Sequence, residues 1–126
     1  MKSVIIALII GSVTVFGSIV YTNHLEKISV EMIQKNKEIE KNIILENFEE
    51  AAKKSEQLSY FVRKKRTLLD AVGNHQELDE IERNLSELVA FTEENMRADA
   101  LSKCYSLDFL IKALPRNFKI KIENIL

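Results

Sequence analysis

The reading of the chain turns on Ser3-Val4-Ile5-Ile6-Ala7-Leu8-Ile9-Ile10-Gly11-Ser12-Val13-Thr14-Val15-Phe16-Gly17-Ser18-Ile19-Val20-Tyr21-Thr22-Asn23, an uncharged and mostly apolar run. About twenty residues rising ~1.5 Å each cover roughly 30 Å, the thickness of bilayer hydrocarbon. The run is therefore expected to cross a membrane as one helix. A secretory signal is the rival reading, since Lys2 before an apolar stretch suits the start of one. The run is longer than a usual signal core, however. Its exit, Val20-Tyr21-Thr22-Asn23-His24, offers no small-x-small cleavage site. An uncleaved transmembrane anchor over residues 1–23 is expected, followed by a helical bundle domain over residues 24–126. The bundle is placed outside the cytoplasm, because a short head bearing Lys2 resembles the retained end of a signal-anchor. Lys27, Lys35, Lys37 and Lys41 argue the other way on a positive-inside count.

Beyond the anchor, composition points to helices. The 126 residues include three Gly, one Pro and no Trp, and are rich in Glu, Lys, Leu and Ile. Acids and bases nearly cancel at a net charge of −1, so no global field favours nucleic acid or an acidic substrate. Cys104 is the single cysteine, which excludes an internal disulfide framework and a cysteine-based metal cage.

Apolar periodicity then divides the chain. Leu25, Ile28, Met32 and Ile39 recur at helical spacing, with Lys35 in the expected apolar position between the last two. No Gly or Pro separates them from the anchor, so one helix is expected to continue to about Asn42. Asn47-Phe48-Glu49-Glu50 has the form of a capping box, with Asn47 as N-cap. Phe48, Ala51, Ser55, Leu58, Val62, Leu69 and Val72 mark the face of the helix it opens. Gly73 can end that helix, and Asn74-His75-Gln76-Glu77 opens a third bearing Leu78, Ile81, Leu85, Leu88 and Phe91. So tight a connection makes the second and third helices antiparallel neighbours. After a polar break at Glu94-Asn95-Met96-Arg97, a fourth helix carries Leu101, Cys104, Leu107, Ile111 and Leu114, and Pro115 is expected to stop it. The alternating tail from Phe118 to Leu126 is strand-like but has no partner strand. An extended segment or short helix against the bundle is expected there. The fold class is thus all-α: an N-terminal transmembrane helix continuing into an antiparallel bundle of about four helices.

On these residues the chain resembles the bacterial domain-of-unknown-function family 4363, short single-pass proteins of Gram-positive lineages. The likeness runs over nearly the whole length. It includes the anchor after Met1-Lys2, Glu46-Asn47-Phe48-Glu49-Glu50-Ala51 and His75-Gln76-Glu77-Leu78-Asp79-Glu80-Ile81. It closes with Leu110-Ile111-Lys112 before Pro115 and with Asn124-Ile125-Leu126. Relatives often carry Trp where this chain has Phe48, and a second His where it has Asn74. The resemblance implies fold and location and carries no activity with it. It also implies a multi-span membrane protein as partner, since such proteins tend to be encoded beside members.

Candidate sites are weighed one by one. His75 and Asp79 lie one helical turn apart with Glu77 between them, but a closed metal site needs about four donors. Helix capping is the better reading, and no metal or cofactor is expected. Cys104 sits in an apolar stripe, where a free cysteine behaves as a small hydrophobe. The carboxylate pairs Glu49-Glu50 and Glu93-Glu94 read as solvated ends of helices. Ala7, Gly11, Thr14 and Ser18 share one face of the anchor, and small residues let another transmembrane helix approach closely. Arg63-Lys64-Lys65-Arg66 is the second feature. An antiparallel second helix would return it to headgroup level, where anionic lipid attracts it.

The function expected is a membrane-anchored, non-enzymatic helical protein, an accessory or scaffold subunit of a bacterial membrane assembly. The bilayer and another membrane protein are its expected partners, and nucleic acid is not. The alternative is a ligand-sensing bundle binding a small molecule between helices, for which Ser55 and Lys65 are the polar residues placed within the apolar stripe.

Overall fold

The computed structural model describes residues 1–70 and 75–125. They form four helices: α1 (Lys2–Ile44), α2 (Phe48–Asp70), α3 (His75–Glu93) and α4 (Arg97–Ile125). α1 packs against α2 and α4, and α3 closes the bundle by packing against the same two. No strand occurs among the described residues.

α1 is one helix of 43 residues, two residues longer at its end than the sequence suggests. Apart from half-buried Ser18, every residue from Met1 to Val20 is exposed. This half is long and apolar enough to cross a bilayer. Burial starts at Leu25 and continues through Ile28, Met32, Ile39 and Ile43. Ala51, Leu58, Val62 and Leu69 of α2 join that core, as do Leu78, Ile81, Leu85 and Leu88 of α3 and Ala100, Cys104, Leu107, Ile111 and Leu114 of α4. Val72 and the Gly73-Asn74 hinge and cap lie outside the described residues.

The two described turns share one geometry. Glu46 and Asn95 both take positive φ, 59° and 58°. After α1, the Glu46 amide donates to the Ile43 carbonyl at 3.0 Å and the Asn47 amide to the Asn42 carbonyl at 2.8 Å. After α3, Asn95 donates to Thr92 at 3.2 Å and Met96 to Phe91 at 2.8 Å. Each is a Schellman closure, which satisfies carbonyls that a helix end leaves free. Asn47 also starts α2, accepting the Ala51 amide on its carbonyl at 3.0 Å, while its side chain donates to Asn42 Oδ1 at 3.4 Å.

One expectation needs correction, and the tail takes the helical of the two forms expected for it. Pro115 does not stop α4, which runs on to Ile125. Proline has no amide for the carbonyl four residues back, here Ile111, and that orphan normally disfavours an interior proline. Ser29 of α1 supplies the missing donor: its hydroxyl donates to the Ile111 carbonyl at 3.1 Å in a buried setting. The tail is accordingly helical. Its alternating pattern is overridden because Phe118 and Ile122 follow Ile111 and Leu114 onto the face turned to α1.

One heptad away from Ser29, Asn36 Nδ2 donates to the Cys104 carbonyl at 2.8 Å. The pairs Ser29–Ile111 and Asn36–Cys104 are thus spaced seven residues apart on both helices and fix the antiparallel register of α1 and α4. Lys35, read as filling an apolar position, is half-buried, with its ammonium 5.3 Å from the Phe61 ring centre. The adjacent Asn36 takes the core position instead.

Candidate functional site at the Tyr21–Phe118 junction

Up-and-down order returns the ends of α2 and α4 to the point where the apolar half of α1 meets the bundle. Tyr21 is the junction. Its hydroxyl donates to the Leu68 carbonyl of α2 at 2.6 Å, and its ring lies 5.1 Å from that of Phe118 on α4, tilted by 54°. One turn further into the bundle, Lys119 is ion-paired with Glu26. On the side of the apolar half of α1, Ile122 faces Val15, Ser18, Ile19, Thr22 and Asn23 across a crevice of about 180 Å³.

The basic cluster of α2 is divided by its surroundings. Arg66 pairs with Asp79 at 2.7 Å and Glu82 at 2.5 Å on α3, and with Asp70 at 3.4 Å. The hydrogen bond to Asp79, with the charges of Glu82 and Asp70, holds its guanidinium more firmly protonated against some desolvation. Lys65 is half-buried with its ammonium 5.7 Å from the Phe61 ring centre. Arg63 and Lys64 remain exposed, Arg63 Nε lying 3.5 Å from the Ser59 carbonyl. Tyr21 meets Leu68, so the cluster stands roughly 3–8 Å beyond Tyr21 along the axis.

His75, Glu77 and Asp79 do not converge. His75 Nδ1 lies 3.2 Å from Asp70, Glu77 accepts from Asn117 of α4 at 2.5 Å, and Asp79 pairs with Arg66. Among the described residues no group of three or more His, Cys, Asp and Glu is placed to hold a metal ion. Glu49, Glu93 and Glu94 are exposed, and half-buried Glu50 lies 3.9 Å from Lys54. Cys104 is buried in the core, and desolvation, with the charge of Glu40, pushes its thiol up to about 12. A thiol so held is a poor nucleophile. Ser55 gives its hydroxyl to the Ala51 carbonyl of its own helix at 2.7 Å.

In the apolar half of α1, Thr14 donates to the Ile10 carbonyl at 2.8 Å and Ser18 to that of Thr14 at 2.9 Å. Nothing lies within 4 Å of where a Cβ on Gly11 would stand. Ala7, Gly11 and Thr14 therefore form an open, smooth face, whereas Ser18 is half-buried and lines the crevice opposite Ile122.

A groove of about 830 Å³ runs between α3 and α4, lined in part by Arg83, Glu87, Lys103, Tyr105 and Phe109. Lys103 pairs with Glu87 across it at 2.5 Å and holds that carboxyl below its usual range. Sequence reasoning missed this surface. Its signal was Tyr105 and Phe109, one turn apart and off the apolar stripe.

A family model described as a domain of unknown function (DUF4363) matches residues 19–125. The chain belongs to that family. No curated protein and no solved structure matches it.

Proposed function

We propose that this DUF4363 member is a non-enzymatic accessory or scaffold subunit of a bacterial membrane assembly, held by residues 1–23 with its bundle on the extracytoplasmic side. The observation that carries the reading is the unbroken run of α1 from Lys2 to Ile44. A helix without a hinge between an apolar segment and a packed bundle transmits position and rotation from one to the other. Of the face expected to take a partner, Ala7, Gly11 and Thr14 are where its transmembrane helix would pack, Ser18 being opposite Ile122. A photo-crosslinking residue at Gly11 in bacterial membranes tests this. A multi-span protein is expected to crosslink there in preference to Phe16; equal labelling of lipid at both positions would overturn the scaffold reading.

The groove beside Tyr105 and Phe109 supports the second reading, a ligand-sensing bundle. The interior polar residues named for it are engaged, Ser55 with Ala51 and Lys65 beside Phe61. A small molecule retained by the purified full chain, and lost in Phe109→Ala, would favour sensing over scaffolding.

A further inference from the structure

We propose that the last turns of α4, residues 116–125, form a second membrane contact that docks on anionic phospholipid beside the anchor. The inference rests on the membrane reading of α1 and adds to it the element that sets its depth.

Register is the first argument. Ser29–Ile111, Asn36–Cys104 and Tyr21–Phe118 pin α4 antiparallel along α1. Continued through Ile122, this register lays the tail beside Val15 to Asn23. Those residues belong to the uncharged run that is long enough to cross the hydrocarbon. A bilayer reaching Asn23 would therefore have to take in Lys121 and Glu123 as well, and charges are expelled from that layer. Both constraints are met when the tail lies at headgroup level, with the hydrocarbon beginning near Val15. Residues 3–15 then span roughly 20 Å, and local thinning of the bilayer, with Lys2 snorkelling to the far headgroups, accommodates the difference.

Composition is the second argument. The tail carries Arg116, Lys119 and Lys121 against the single acid Glu123. Glu26 holds Lys119, while Arg116 and Lys121 are exposed. Ile120 and Ile125 are 51% and 71% exposed. Apolar residues among long basic ones at a bilayer boundary suit an interfacial helix, with ammonium and guanidinium groups reaching phosphate. The crevice beneath Ile122 is apolar-walled and opens at the same level, where the upper part of an acyl chain would lie.

The full chain, reconstituted in vesicles of phosphatidylglycerol and phosphatidylethanolamine, provides the test. An environment-sensitive dye is attached to Ile9→Cys, Ile125→Cys or Tyr105→Cys in a Cys104→Ala background. Should that background lose helicity, native Cys104 is kept, since its burial protects it from labelling. Brominated acyl chains should quench the dye at residues 9 and 125 several-fold more than at 105, and aqueous iodide should show the reverse order. Phosphatidylcholine in place of the anionic lipid, or Arg116→Gln with Lys121→Gln, should weaken lipid quenching at 125 and leave it unchanged at 9. A dye at 125 that behaves like the one at 105 while 9 is quenched overturns the tail contact and leaves the anchor standing. Iodide reaching residue 9 as freely as 105 overturns both. Quenching at 125 that ignores lipid charge and both glutamine changes overturns the docking on anionic lipid.

Discussion

The hydroxyl of Ser29 donates to the carbonyl of Ile111 at 3.1 Å, and that carbonyl is the one Pro115 leaves without an amide. A side chain on one helix thus repairs a backbone defect on its neighbour, and the repair lets α4 continue past Tyr21 to Ile125. Ser29→Ala should destabilise the bundle by about 1–3 kcal/mol, the range for a buried group left unsatisfied. In a Pro115→Ala background the Ile111 carbonyl regains an amide, and the same change should be much milder. Denaturant unfolding of the four proteins in detergent measures the coupling. Additive losses would mean that the serine serves some purpose other than this repair.

Glu46 occupies a left-handed position at the end of α1, which carries a penalty of ~1–2 kcal/mol for an L-residue with a Cβ. Its side chain is exposed, so Glu46→Gly removes the strain without opening a cavity. The greater freedom of glycine in the unfolded chain offsets part of the gain. A net stabilisation of about 0.5–1 kcal/mol is expected from thermal unfolding. Asn95→Gly should gain less, because asparagine tolerates this region. A loss of stability on Glu46→Gly would show that the glutamate itself holds the turn.

The order of the helices and most of their core faces were legible in the sequence because the apolar period is regular from Leu25 to Leu114. The reversal at residues 45–47 was legible from its polar residues. What misled was local chemistry with a tertiary answer. Pro115 reads as a stop until Ser29 is brought beside Ile111, and nothing within the fourth helix announces that donor. The alternating tail leaves an extended segment and a short helix both open because period two and period 3.6 overlap over so few residues. Asn36 went unnoticed since an amide beside a lysine looks solvated, and the basic cluster could not be divided before α3 delivered Asp79 and Glu82 to Arg66. The family match rests on the whole pattern and brings no activity to any one residue.

Asn36 is 1% exposed and its Oδ1 has no hydrogen-bond donor among the described residues, although Nδ2 is engaged with Cys104. A half-satisfied amide in the core lowers stability while fixing alignment, as one polar core residue does in a coiled coil. Asn36→Leu, which keeps the branch at Cγ, should raise the unfolding free energy by ~1 kcal/mol. The same variant should align its helices less uniquely, visible as broadened amide resonances along α4. A marked loss of stability would mean that the bond to Cys104 outweighs the unmet oxygen.

The thiol of Cys104 is pushed up from an ordinary 9.0 to about 12 in the folded chain, chiefly by burial. The folded state therefore keeps a proton that the unfolded state releases between those values. By linkage, the unfolded state binds fewer protons in this window, so stability falls as pH rises through it. Below about 9 the contribution is fully present. Between pH 9 and 10.5 the native chain should lose stability more steeply than Cys104→Ala, whose lower starting stability reflects a small cavity and not ionisation. In the same native protein at pH 8, a thiol reagent should react only at the rate of unfolding and then rapidly once denaturant is added. Parallel pH profiles for the two chains, or prompt labelling of the folded one, would place the thiol outside the core.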